Sequence, residues 1–127
     1  MALILIIEDD PASLELASYL LQAAGHRTRT AGDGAAGLAA ARAEQLDLLI
    51  CDLQIPIVDG FGVVRALKAD RGWCAPIIAV TALSMPGDRE KTLAAGFDGY
   101  LSKPIAPETF VRDIEAFLPG ALRSGAS

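Results

Sequence analysis

The sequence predicts a doubly wound α/β domain built on a five-stranded parallel sheet, and three observations predict it. First, apolar runs of strand length recur along the chain: Ala2 to Ile7, Leu48 to Cys51, Pro76 to Val80 and the short Tyr100-Leu101. Continuous Ile/Leu/Val runs read as parallel strands buried on both faces. Second, helix-like stretches separate these runs, as expected if the connecting helices cover the sheet. Third, each run ends in a residue suited to phosphate or metal chemistry: Glu8-Asp9, Asp52, Thr81 and Ser102-Lys103. Parallel strands share one C-terminal edge, where open α/β sheets bind their ligands, so these groups should converge in one crevice.

Taken in order, Ala2 to Ile7 is the first strand. Asp10 is then an N-cap with Pro11 at the first helical position, Leu14, Ala17, Leu20 and Leu21 line one helix face, and Gly25 ends the helix. His26 to Ala31 alternates Arg and Thr and suits a sheet edge. Gly34 to Glu44 is an Ala-rich helix, Asp47 to Cys51 a strand, Phe61 to Ala69 a helix and Pro76 to Thr81 a strand. Gly87 to Ala95 is a helix stopped by Gly96, Gly99 to Ser102 the fifth strand, and Pro107 to Leu118 the last helix. With right-handed crossovers and a polar edge strand second in sequence, the natural strand order is 2-1-3-4-5. One domain over residues 1–119, followed by a flexible tail over 120–127, is expected.

The bulk numbers agree. A chain of 127 residues can bury about two thirds of its unfolded surface in one core. Hydrophobic content of 52% and a mean hydropathy of +0.37 fit a sheet covered on both sides. No apolar stretch approaches the roughly 20 residues of a membrane span, and no basic segment precedes the first apolar run, so the expected location is the cytoplasm. Net charge of −5, with scattered Lys and Arg, argues against a nucleic-acid surface. Cys51 and Cys74 have neither metal-ligand spacing nor the density of a disulfide scaffold and read as core thiols. A single histidine, His26, argues against a His-based zinc site, and its place after Gly25 reads as a turn residue.

Each candidate site residue has an ordinary explanation by itself. Acids at a helix start, a strand-end Asp, a strand Thr and a surface Lys are all common. Their convergence on one edge changes the balance, because clustered carboxylates repel unless a divalent cation neutralises them, and an oxygen-only site favours Mg²⁺. Lys103 and the Thr81 hydroxyl beside that ion would bind phosphate oxygens.

Four segments, in order, carry a family resemblance: Ile6-Ile7-Glu8-Asp9-Asp10, Asp52-Leu53-Gln54-Ile55-Pro56-Ile57-Val58-Asp59-Gly60, Val80-Thr81-Ala82 and Tyr100-Leu101-Ser102-Lys103-Pro104. Through them the chain resembles the receiver domain of two-component response regulators, of the stand-alone or hybrid-kinase type, over about Leu3 to Leu118. The resemblance implies a flavodoxin-like fold and a phosphorelay role. Asp52 would accept a phosphoryl group from a histidine kinase or histidine phosphotransfer protein. Glu8, Asp9, Asp52 and the Gln54 carbonyl would hold Mg²⁺, with Glu8 assisting through water. Lys103 would contact the phosphoryl oxygens, aimed inward by a cis peptide before Pro104. Thr81 and Tyr100 would switch, with room left by the small Ala82, and alter the surface of the fourth helix, fifth strand and last helix for a downstream protein target. A phosphorylation-dependent dimer fits the family, and from the charge and hydropathy of this chain no nucleic-acid or membrane partner is expected. The chain would be no enzyme in the turnover sense, taking part only in its own Mg²⁺-dependent phosphorylation and dephosphorylation. Ile55 and Val58 are conservative departures from the Met or Leu commoner in the family, and Gln54 and Leu83 hold places that tune phosphate lifetime.

Three rival readings compete. Gly32-Asp33-Gly34-Ala35-Ala36-Gly37 matches the dinucleotide-binding glycine pattern, but the strand before it is polar and the chain has no room for a substrate domain. An aspartate-nucleophile phosphatase would need a general acid two residues after Asp52, where Gln54 cannot serve. A receiver-like interaction module that works without phosphorylation is the third. Phe110, Ile114 and Phe117 read as a core stripe, and Trp73 as a core cap or a partner contact.

Overall fold

The computed structural model of the protein describes residues 1–82 and 85–123. Five βα units follow one another: β1 (Leu3–Ile7), α1 (Pro11–Ala23), β2 (Arg27–Ala31), α2 (Gly34–Ala43), β3 (Leu48–Cys51), α3 (Gly60–Ala69), β4 (Ile77–Thr81), α4 (Asp88–Ala94), β5 (Gly99–Ser102) and α5 (Phe110–Glu115). The strands form one parallel sheet in the order β2-β1-β3-β4-β5, as predicted.

Side-chain alternation divides the sheet's apolar residues between two cores. Leu3, Leu5, Ile7, Leu49, Cys51, Ile77 and Ala79 face one side, where Val63, Val64 and Leu67 of α3 cover them. Ile4, Ile6, Leu48, Ile50, Ile78 and Val80 face the other, against Ala17 and Leu21 of α1 and Phe110 and Ile114 of α5. The expected stripe of Phe110, Ile114 and Phe117 is therefore core. β2 is the polar edge; its Arg27, Arg29 and Thr30 are exposed.

Local chemistry sets the helix ends. Asp10 accepts the Ser13 amide at 3.2 Å and the Ser13 hydroxyl at 2.7 Å, and Pro11 opens the helix. At the other end Gly25 takes φ +96°, its amide bonds Gln22 O and the His26 amide bonds Leu21 O, which closes α1 in a Schellman motif. α5 is shorter than the predicted Pro107 to Leu118. Thr109 and Phe110 both bond back to Ala106 in a turn, and after Glu115 the amides of Phe117 and Leu118 reach only three residues back, tightening the chain out of the α-helix. Gly120–Leu122, which the sequence placed in the tail, form a single 3₁₀ turn, with Leu122 packed against the second core. The rest of that tail, residues 124–127, and Leu83 lie outside the described residues.

Other expectations need correction. Cys51 is buried as predicted, but Cys74 is exposed, because it lies in the loop before β4 rather than within the strand. His26 is a buried side chain rather than a turn residue, since its ring folds under the start of the sheet and bonds the Ala2 amide and Glu115. Trp73 is a core cap: it packs on the first core and donates its indole N–H to Ala75 O at 2.9 Å. The glycine pattern around Gly34 reflects packing. A Cβ at Gly34 would run into the Val58 carbonyl, and one at Gly37 into the Ile7 side chain, so these glycines let α2 lie against β1 and the loop after β3.

Candidate functional site

The C-terminal ends of β1, β3, β4 and β5 deliver the candidate residues because parallel pairing aligns them. Ile7 pairs with Cys51 and Thr81 with Ser102, so Glu8, Asp52 and Lys103 each follow a strand end at the same edge. Glu8 and Asp52 are each only 5% exposed, whereas Asp9 faces solvent. Each of these three acids offers a carboxylate oxygen, and the three oxygens lie within 4.8 Å of one another.

Lys103 reaches into this cluster from the loop after β5, ahead of a cis peptide to Pro104. Its Nζ donates to Glu8 Oε1 at 2.7 Å and to Asp52 Oδ2 at 2.8 Å. The other Asp52 oxygen, Oδ1, accepts the Gln54 amide at 3.0 Å, which fixes the plane of the carboxylate. Two contributions were not anticipated. The Asp10 amide donates to Glu8 Oε1 at 3.3 Å, and the Cys51 thiol donates to the Asp52 carbonyl at 3.2 Å. Both come from chain neighbours of the acids, and their apolar or capping character hid any link to the site.

Electrostatics follow from burial. Desolvation pushes the Glu8 carboxyl up to about 7; the nearby Asp52 adds to the rise, and Lys103 opposes it. Burial alone would lower the Lys103 ammonium, but its bonds to Asp52 and Glu8 outweigh that and hold it above its ordinary value. Burial foremost, then the charge on Asp52, raises the Cys51 thiol and keeps it inert. Asp10 is lowered by the bonds from Ser13, as its capping role requires.

Three carboxylates share one ammonium, so the cluster carries excess negative charge that a divalent cation would neutralise. An all-oxygen donor set with a small number of ligands fits Mg²⁺. Thr81 is fully buried at the end of β4, and its carbonyl accepts the Lys103 amide at 2.9 Å. Tyr100 is half-buried and packs on the first core, in register with Ala79. Ala82 is exposed.

Comparison with known proteins adds independent findings. The sequence profile described as the response regulator receiver domain matches residues 4–115. The polar-differentiation response regulator DivK of Brucella ovis is 36% identical over 119 residues, spanning 93% of this chain and 97% of that protein. The solved chemotaxis response regulator CheY4 of Vibrio cholerae superposes with a TM-score of 0.87 at 32% identity, covering 93% of this chain and 99% of that one. The receiver domain of a sensor histidine kinase from Pseudomonas aeruginosa, solved with a magnesium ion coordinated in its active-site cleft, gives a TM-score of 0.83 at 31% identity over 91% of this chain and 96% of that one.

Proposed function

This chain belongs to the response regulator receiver domain family of two-component signalling, and on that premise we propose that Asp52 is its phosphoacceptor and that phosphorylation switches the surface formed by α4, β5 and α5. The observation that carries this reading is the geometry at Asp52: Oδ1 held by the Gln54 amide, Oδ2 bonded to Lys103, and the Glu8 and Asp9 oxygens within 4.8 Å.

Glu8, Asp9 and Asp52, with the Gln54 carbonyl, would hold Mg²⁺, which when bound supplies charge neutralisation for phosphoryl transfer between two anions. The chain's own residues do the rest. The Gln54 amide presents the Asp52 carboxylate in one orientation, so that Oδ2 forms the new bond to phosphorus as the donor's P–N bond breaks. Lys103 is already within bonding distance of the attacking oxygen and, as a point charge, stabilises the transferring group's peripheral oxygens. Glu8 holds Lys103 in place from the other side. After transfer the Thr81 hydroxyl turns to bond the phosphate and Tyr100 follows inward. Taking such a switch from 1:99 to 99:1 requires about 5.5 kcal/mol of differential binding to the two conformers.

The donor is a histidine kinase or histidine phosphotransfer protein, and the readout is contact with a downstream protein, with a phosphorylation-dependent dimer as one form of that contact. A receiver is a signalling protein, and the chemistry here is one acceptance and one release rather than turnover. No helix among the described residues is long and apolar enough to cross a membrane.

Intact mass after incubation with Mg²⁺ and acetyl phosphate tests the reading, beside Asp52→Asn and an EDTA control. One phosphate that disappears in both controls is expected. No adduct, from acetyl phosphate or from a phosphohistidine donor, would overturn it and leave a receiver fold used as an interaction module.

A further inference from the structure

The sheet edge opposite the acidic crevice holds a buried pair that phosphoryl chemistry does not use. His26 is 4% exposed and Glu115 7%, with His26 Nε2 2.6 Å from Glu115 Oε2. The other ring nitrogen, Nδ1, lies 3.0 Å from the Ala2 amide nitrogen. A backbone N–H can only donate, so Nδ1 is the bare, accepting nitrogen. The proton of the neutral ring therefore sits on Nε2 and is donated to Glu115. One side chain thus joins three elements: the start of β1, the turn before β2 and the last residue of α5.

On the ring itself a second proton has only Nδ1 to go to. Adding it to Nδ1 would set two N–H groups facing each other where a hydrogen bond had been, while the cationic ring would hold Glu115 more strongly. We propose that His26 is a proton-operated latch: neutral, it ties α5 to the start of β1; protonated, it lets go of Ala2 and keeps α5. The charged groups around it are consistent with this. Glu115 is the carboxylate in contact with the ring. On α5, Arg112 pairs with Asp113 at 3.4 Å, and beyond the helix Arg123 bonds the carbonyls of Leu118 and Ala116. From β3's side, Asp47 accepts the Leu3 amide at 2.8 Å, so it keeps β1 seated when Ala2 is released. Arg27, next along β2, is exposed, the last turn of α1 brings no titratable group, and the amine of Met1 precedes Ala2.

The test uses the full chain without phosphate, so its outcome does not depend on Asp52. Imidazole nitrogen NMR between pH 8 and 5 is recorded with amide exchange, in the wild type and in His26→Gln. Gln carries an acceptor and a donor separated by one carbon, as the ring does, but takes no proton, and any titration of Glu8, about 20 Å away along β1, cancels in the comparison. We expect the Nε2–H tautomer at pH 8, then a roughly fivefold fall in the Ala2 protection factor as the ring protonates. His26→Gln should keep Ala2 protected with no step. An Nδ1–H tautomer at pH 8, an unchanged Ala2 amide through ring protonation, or the same step in His26→Gln would overturn the latch. If His26→Gln does not fold, the wild-type tautomer and exchange decide alone.

Discussion

Glu8 occupies the candidate site at a cost to the fold. Burial, more than any neighbour, raises its carboxyl from 4.5 to about 7, so between those values the native state binds more protons than the unfolded chain. Stability therefore falls as pH rises through that window in metal-free protein. Urea unfolding in EDTA from pH 4.5 to 8 should show this decline, Glu8→Gln should flatten it, and Mg²⁺ should reverse it by taking the proton's place. A metal-free slope that Glu8→Gln leaves unchanged would place the titration elsewhere. The acids and Lys103 were legible as candidates because each follows an apolar run. That Lys103 bridges Glu8 and Asp52 was not, since the contacts join residues 95 and 51 positions apart.

At the scale of elements, the β3–α3 loop and the start of α2 depend on each other. The Val58 amide bonds Pro56 O at 2.9 Å across Ile57, which sits at φ +74°, a conformation costly for a β-branched residue. Ile57 is 78% exposed, so no packing is lost on replacing it, and Ile57→Gly should stabilise by about 1 kcal/mol. Gly34→Ala should destabilise by about 2–3 kcal/mol, because the clash is with the Val58 backbone carbonyl and no rotamer can relieve it. Urea midpoints at matched slopes measure both, and a neutral Gly34→Ala would show that the loop has room to shift. Strands and helix starts were readable from apolar runs and caps such as Asp10. The ends of α5 were not, because its apolar stripe continues through Phe117 while the backbone has already left the helix.

For the whole molecule, two cores share one sheet, and β1 contributes alternate residues to both. Leu5 and Ile6 are adjacent, nearly or fully buried, and face opposite sides. Leu5→Ala and Ile6→Ala should each cost about 3 kcal/mol and each leave a single transition, because neither layer of helices stays covered once the sheet is lost. Trp73 packs on the first core alone, so its fluorescence and the far-ultraviolet signal should coincide in both variants. An earlier tryptophan transition in Leu5→Ala would show that the cores unfold separately.

The amino-acid sequence by itself determined the βα alternation, the strand order and the convergence of Glu8, Asp9, Asp52 and Lys103 on one edge. Local pattern controls all of these: buried parallel strands must be apolar throughout, and once they are parallel their polar ends share an edge. Only the tertiary structure decided which nitrogen of His26 is bare, that Cys74 is exposed while Cys51 is sealed, and that two glycines of a nucleotide-like motif serve packing. Those outcomes depend on what distant segments bring to within a few ångströms, and residue spacing along the chain carries no record of it.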